Sequence, residues 1–264
     1  MENLALSQTP PNTFLGVRVD PISRRDVVEW ADRCISQRSI GNQIVVVNVA
    51  KLVEARRSPQ LRHILDEADV VTADGAPIVW LSRFFGSKIR ERVAGIDVMY
   101  DLLLQGDRLG WSFFFLGATQ EVIEQYVARV KAEYPNLKVA GFHNGYFDSD
   151  QEDAIVRMIK EARPNVLFIA FGSPKKEIFV ETWRKELEVN VIHGVGGSFD
   201  VFVGKTKRAP RFIQKAGLEW LYRLLQEPRR MFKRYAVTNT IFLGLVIRET
   251  LRTLPVIDNL TKHN

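Results

Sequence analysis

Between Phe14 and about Gly197 one unit recurs: a short apolar run, a turn-forming residue, then a stretch with helical spacing of apolar positions. Phe14–Val19 reads as a strand, and Ser23 with Asp26 makes a capping box for a helix running to about Arg33. Gln43–Val47 is a buried strand that ends at Asn48 and is followed by the helical AKLVEARR. Helices are expected over Ser58–Ala68, Gly75–Phe85, Gly95–Leu104 and Thr119–Tyr134, the last long and amphipathic. Further strands are expected over Asp69–Ala73, Trp111–Leu116, Lys138–Phe142, Val166–Phe171 and Val189–Ile192, with a helix capped near Asp148 or Ser149 and another opening at Ser173–Pro174. Strand followed by helix, repeated this often, predicts an α/β fold: a Rossmann-like, mostly parallel sheet with helices on both faces. Ligands of such sheets bind beyond the carboxyl ends of the strands. Those ends carry Asn48, Asp74, Gly117, His143, Gly172 and Gly194.

The rhythm stops after Gly204, and the charge changes with it. From Lys205 onward there are 13 Lys/Arg against 4 Asp/Glu, whereas the preceding residues hold 24 against 27, out of a total of 37 and 31. Basicity confined to one end points to nucleic acid or to an anionic membrane. The apolar content favours the membrane: Phe232, Tyr235, Ile241, Phe242, Leu243, Leu245, Val246 and Ile247 interleave with Arg229, Arg230, Lys233, Arg234, Arg248 and Arg252, the make-up of an interfacial helix. The uncharged run Ala236–Ile247 falls well short of the roughly 20 residues that span a bilayer. Three segments follow: a disordered lead over 1–12, without the basic and apolar regions of a signal peptide, an α/β body over 13–204, and a basic helical appendage over 205–264. Cys34 is the one cysteine, so an internal disulfide and a cysteine-rich zinc site are both excluded.

Several residues carry chemistry, each beside a plainer reading. Asp74 follows an apolar strand and precedes Gly75 and a helix, where aspartate commonly caps; the same position suits a general base above the crevice. Asn48 is a turn residue or a hydroxyl ligand, and Arg92 pairs with a surface carboxylate or binds substrate. Asp97 reads as a first-turn helix acid. Gly194, Gly196 and Gly197 make a glycine-rich turn whose N–H groups suit phosphate, with Lys205, Lys207, Arg208 and Arg211 after it. Pro210 then opens a helix carrying Leu218, Leu221, Leu224 and Leu225, with Arg223 among them. A dinucleotide fingerprint fails, because Phe199 stands where glycine or alanine is required; this disfavours a nucleotide-dependent oxidoreductase. A purely nucleic-acid-binding protein is disfavoured by the aliphatic content of the basic segment. Asp148-Ser149-Asp150 lies at a helix start and reads as a cap, and no other grouping has metal-ligand spacing. No metal and no cofactor are expected.

The stretch GVGGSFDVFVGKTKRAP with GLEWLYRLLQEPRR closely resembles the C-terminal signature of the WecG/TagA/CpsF glycosyltransferases, glycosyltransferase family 26. TADGAPIVWLSR at 72–83, RVAGIDVMYDLL at 92–103, NGYF at 144–147 and FGSPKKEIF at 171–179 match in the family's order. The resemblance implies a metal-independent, inverting transfer of a hexose (glucose, N-acetylmannosamine or N-acetylmannosaminuronic acid) from a UDP-sugar to a polyprenyl-diphosphate-linked saccharide, at the cytoplasmic face of a bacterial inner membrane. It implies Asp74 as catalytic base, with Arg92 and Asn48 in the active site. It also implies Arg223 and Arg230 at the departing diphosphate, although membrane phosphate contact is an alternative for both. Gly117, Lys176 and the three turn glycines fall among the donor-binding positions, and Arg229, Phe232, Lys233, Arg234 and Tyr235 among the membrane-binding ones. Two positions depart from the pattern: Val46 stands where the family commonly has threonine, and Lys176 where its glutamine contacts ligand. Donor identity and self-association stay open.

Overall fold

A computed structural model describes residues 13–86 and 89–253, the side chains at 230, 233, 234 and 253 aside; the expected lead at 1–12 lies outside the described residues. The chain opens with a two-stranded antiparallel hairpin, β1 (Thr13–Phe14) and β2 (Val17–Arg18), where one strand was expected. Next come α1 (Arg24–Ser36), β3 (Asn42–Val47), α2 (Val49–Ala55), α3 (Pro59–Glu67), β4 (Val70–Ala73), α4 (Ala76–Phe84) and α5 (Gly95–Leu109). The middle of the chain forms β5 (Ser112–Gly117), α6 (Gln120–Glu133), β6 (Lys138–His143), α7 (Glu152–Ala162), β7 (Val166–Ala170), α8 (Lys175–Trp183), β8 (Val191–Gly194) and α9 (Ser198–Phe202). It ends with α10 (Arg211–Lys215), α11 (Glu219–Gln226) and α12 (Pro228–Thr253). The capping box at Ser23 and Asp26 is present. Asp148 forms a second one with Gln151, opening a short 3-10 turn ahead of α7.

Six strands form one parallel sheet in the order β4-β3-β8-β7-β5-β6. Each strand's alternation sorts its side chains to two cores, as burial of both faces requires. Phe113 and Phe115 of β5, with Val166 and Phe168 of β7, face Trp30, Met99, Tyr126 and Phe199. Phe114, Leu116, Leu167 and Ile169 point to the opposite face, against Ile155, Ile159 and Phe179. A fully buried side chain of this size contributes about 1.5–3 kcal/mol, so the strands are held by their aromatic and β-branched residues. From β3 the chain moves outward to β4, then crosses back to β5 in the other half of the sheet. The carboxyl ends of the central strands thus lie where successive connections leave in opposite directions, the usual place for a ligand crevice.

The C-terminal segment differs from a single amphipathic helix. Gly217, at φ +71°, separates α10 from α11, and the site is crowded: a Cβ there would come within 2.6 Å of Ala76 and 2.8 Å of Trp80. The turn therefore seats the segment against α4. The long helix α12 spends one face on the body. Phe242 is buried with Ile241, Leu245 and Val246 against the core around Leu52, Val53 and Val79, while Phe232, Val237, Leu243, Ile247 and Leu251 stay exposed.

Gly117 ends β5 with φ +132°, and a Cβ at this position would meet the Ala170 backbone at 2.8 Å. Gly117→Ala is expected to destabilise by more than about 1 kcal/mol. The comparison is Gly110→Ala in chemical denaturation, since Gly110 shares a positive φ but has open space around its Cα. Equal losses in the two variants would show that strand crowding contributes nothing.

Candidate active site

Asp74 is the first residue beyond β4, and its backbone N–H donates to Val47 O at 2.7 Å, which holds it level with the end of β3. The residue that caps α4 is Gly75, with no side-chain cap bond, so the carboxylate of Asp74 is left to the crevice. About a third of its side chain reaches solvent. Burial of the rest pushes its carboxyl above the ordinary aspartate range; Arg92 opposes the rise, and Glu219 adds to it. A carboxyl raised in this way, at a strand end and partly open to solvent, suits proton abstraction.

Arg92 lies in the segment before α5, mostly buried, with Nε 3.4 Å from Asp74 Oδ1. Its Nη2 lies 2.9 Å from Glu219 Oε2 and 3.9 Å from Asp97 Oδ2. Glu219 opens α11, so the C-terminal segment reaches into the same crevice as the strand ends. Arg208, from the segment ahead of α10, donates to both Asp97 oxygens at 2.7 and 2.9 Å. Its buried Nε makes no hydrogen bond among the described residues and lies 3.8 Å from Glu219 Oε1. Burial would raise the Asp97 carboxyl, but the two bonds from Arg208 hold it below its ordinary value. Asp97 is thus both the first-turn acid expected of α5 and the anchor of a cation 111 residues away. Arg223, one turn along α11, is half exposed with Nη2 3.9 Å from Glu219.

A second group lies under the ends of β3 and β8. Lys51 of α2 and Lys176 of α8 both reach Glu177 Oε1, at 2.6 and 2.8 Å, with Lys51 and Glu177 buried and Lys176 mostly so. Burial alone would push the Glu177 carboxyl up, but Lys51 and then Lys176 outweigh it and bring it down to about 2. Lys176 is the chain neighbour of Glu177, whereas Lys51 comes from 126 positions away. Gly194 is shaped to this group, since a Cβ there would meet the Lys176 stem at 2.8 Å. Val46 lines the same small cavity and also touches Gly95, to whose Cβ position its Cγ2 lies at 3.3 Å. Val46 therefore stands between the lysine group and the first turn of α5. His193 Nε2–H donates to Gly95 O at 3.0 Å, and burial pushes its ring down to about 4, which keeps it neutral and structural.

The remaining sequence candidates are placed as follows. Asn48 caps α2, its Oδ1 accepting from Lys51 N–H at 2.9 Å. Gly196 has φ +56° and Gly197 precedes the short α9. Arg229 and Phe232 are exposed on α12, and Tyr235 is half-buried with its ring 5.9 Å from Trp220. The side chains of Arg230, Lys233 and Arg234 lie outside the described residues. Among the described residues no group of three or more His, Cys, Asp or Glu could hold a metal ion. The structure thus gathers Asp74, Arg92 and Arg223 around Glu219 and sets Lys176 beside Gly194. Gly117 ends β5, separated from β3 in the sheet by β7 and β8. Arg208 and Glu219 lie within the C-terminal signature stretches but were not singled out as site residues, and Lys51 carried no motif; a rare acid within a strongly basic segment was the available hint for Glu219.

Glu177→Gln would leave two buried ammonium groups facing an amide, and the expected cost is about 3–5 kcal/mol. The folded carboxyl titrates far below its ordinary 4.5, so the charge contributes fully above about pH 4.5 and is lost as pH falls toward about 2. Between those values the wild type should lose stability more steeply than the variant. Parallel curves would show that the two lysines do not hold the charge.

Comparison with known proteins bears on the site as a whole. Residues 12–255 match the model of the Glycosyl transferase WecG/TagA/CpsF family. The N-acetylglucosaminyldiphosphoundecaprenol N-acetyl-beta-D-mannosaminyltransferase of Bacillus spizizenii is 37% identical over 190 residues, 72% of this chain and 73% of the relative. The enzyme of the same name from Bacillus subtilis (strain 168) is 32% identical over 216 residues, 80% and 84% of the two chains. With a match of this extent over a parallel α/β body, the chain is a glycosyltransferase and belongs to the WecG/TagA/CpsF family.

Proposed function

We propose that the chain transfers a hexose from a UDP-sugar to a saccharide carried on a polyprenyl diphosphate, with inversion at the anomeric carbon. The observation that supports this most is the Asp74 carboxylate: it stands at a strand end, is not used as a helix cap, and is raised by burial while facing Arg92. Asp74 takes the proton of the acceptor hydroxyl as that oxygen bonds to the anomeric carbon. The bond from this carbon to the diphosphate breaks on the opposite face, and UDP departs with the electron pair. A single displacement turns an α-linked donor into a β-glycoside, in keeping with the beta linkage named for both relatives. Those names also favour an N-acetylmannosaminyl donor and an N-acetylglucosaminyl acceptor, within the biosynthesis of a bacterial cell-envelope or extracellular polysaccharide.

The leaving diphosphate needs neutralising charge. Arg223, half exposed on α11 beside the crevice, is the described residue best placed to meet it, with Arg230 as its partner from the family pattern. The appendage brings the enzyme to its lipid acceptor at the cytoplasmic face of the membrane. Among the described residues no helix is long and apolar enough to cross, and α12 presents Arg229, Phe232, Val237 and Leu243 outward.

Asp74→Asn should leave UDP binding intact and lower turnover by about 10² or more, the scale of general-base loss. The assay is a panel of UDP-sugars with a short-chain lipid-diphosphate acceptor, read as released UDP; equal kcat in variant and wild type would reject Asp74 as the base. The same assay in excess EDTA should retain full activity. Loss of activity, restored by Mg²⁺ or Mn²⁺, would reject charge neutralisation by arginine alone.

A further inference from the structure

We propose that Glu219 is a positioning residue for the transfer step: delivered by the C-terminal segment, it takes hold of the Arg92 guanidinium and keeps it from closing on Asp74. The inference rests on the reading of Asp74 as the base. An arginine and an aspartate alone in a half-buried crevice pair tightly, through two bonds of about 2.7–2.9 Å, and a carboxylate held that way is a poor proton acceptor. Here the short contact of Arg92 goes to Glu219 at 2.9 Å, while Asp74 lies 3.4 Å from Nε. Glu219 is held in turn: Arg208 and Arg223 flank Oε1 at 3.8 and 3.9 Å, and Arg208 is fixed by its two bonds to Asp97. The result is an alternating chain of charge, Asp97, Arg208, Glu219, Arg92, Asp74, in which α11 supplies the central acid.

The charged groups that face Asp74 are Arg92 from the segment before α5, Asp97 on α5, Arg208 from the segment before α10, and Glu219 and Arg223 on α11. Removing the Glu219 charge leaves three arginines against the single acid Asp97 around the base. It also frees Arg92 to move onto Asp74. Both effects stabilise the Asp74 carboxylate, so its protonation moves to lower pH and its strength as a base falls.

The experiment is the pH profile of kcat/KM for the full chain, using the UDP-sugar and lipid-diphosphate pair that supports transfer, alongside UDP affinity by calorimetry. Activity of the wild type should fall on the acid side as Asp74 protonates. In Glu219→Gln that acid limb should move to lower pH, with the plateau lowered roughly tenfold or more and UDP affinity within about twofold. Glu219→Asp keeps the charge but reaches less far, so it should move the limb the same way by a smaller amount and recover part of the plateau; it carries the test should Glu219→Gln not fold. A limb that stays in place, with activity falling only in step with folded protein, would overturn the proposal and leave Glu219 a structural tie. Full activity in Asp74→Asn would instead overturn the base assignment. An inactive Asp74→Asn beside an unmoved limb in the Glu219 variants rejects the role of Glu219 alone.

Discussion

Because all six strands of the main sheet run parallel, each hands its last residue to the same edge, and each must hand it over from a core that is buried on both faces. The double burial accounts for the apolar strands: Phe113 and Phe115 face one core, Phe114 and Leu116 the other. It also forces chemistry outward, since a polar side chain within such a strand would need its own partner. Two of the polar side chains that do lie within strands have such partners: His193 of β8, neutral and buried, is tied to Gly95 O, and Thr72 of β4 donates to Val93 O. Polar side chains that can meet a substrate are therefore displaced to the residues just past the strands. Asp74, Asn48 and Gly117 mark this edge for β4, β3 and β5.

Charge at this edge is managed in two ways. Beneath β3 and β8, Lys51, Lys176 and Glu177 are nearly closed off from solvent, and the two cations hold one carboxylate ionised. Such a group rigidifies, because breaking it would strand a charge in low dielectric. Around Asp74 the groups are more open and the contacts longer, and carboxylates there are pushed in opposite directions: Asp97 down through Arg208, Asp74 up through burial. Neighbouring acids driven apart in this way mark different tasks. Asp97 is an anchor, and Asp74 is left able to change its protonation.

Local pattern made most of this fold legible before any coordinates. The capping box at Ser23, the turn residues after each apolar run and the helical spacing that follows were enough for the parallel α/β reading, and the position of Asp74 past β4 followed from it. The plainer readings were separated only in three dimensions. Asn48 does cap its helix, whereas Asp74, in the equivalent position, does not. What the pattern could not carry was pairing between distant segments. Arg208 meets Asp97 across 111 positions, and Lys51 meets Glu177 across 126. Neither spacing has a local signature. The division of α12 into a face on the body and a face in solvent was hidden for a related reason. A helix that packs and a helix that lies on a membrane share one amphipathic pattern, and the burial of Met231 and of Phe242, the latter beside α2, tells them apart.

The C-terminal segment thereby joins two demands that the sequence presents as one basic stretch. Its turn at Gly217 sits against Ala76 and Trp80 of α4, the helix that begins just after Asp74. From there α11 turns Glu219 inward to Arg92 and leaves Leu225 exposed, while Phe212 of α10 and Trp80 and Phe84 of α4 add further apolar surface. An acid that contacts Arg92 thus shares one short segment with exposed apolar side chains, Phe212 before it and Leu225 after it. On the membrane reading proposed above, the segment that would meet the lipid also supplies the acid beside Arg92. Without Glu219, Arg92 has Asp74 and Asp97 as its acidic neighbours.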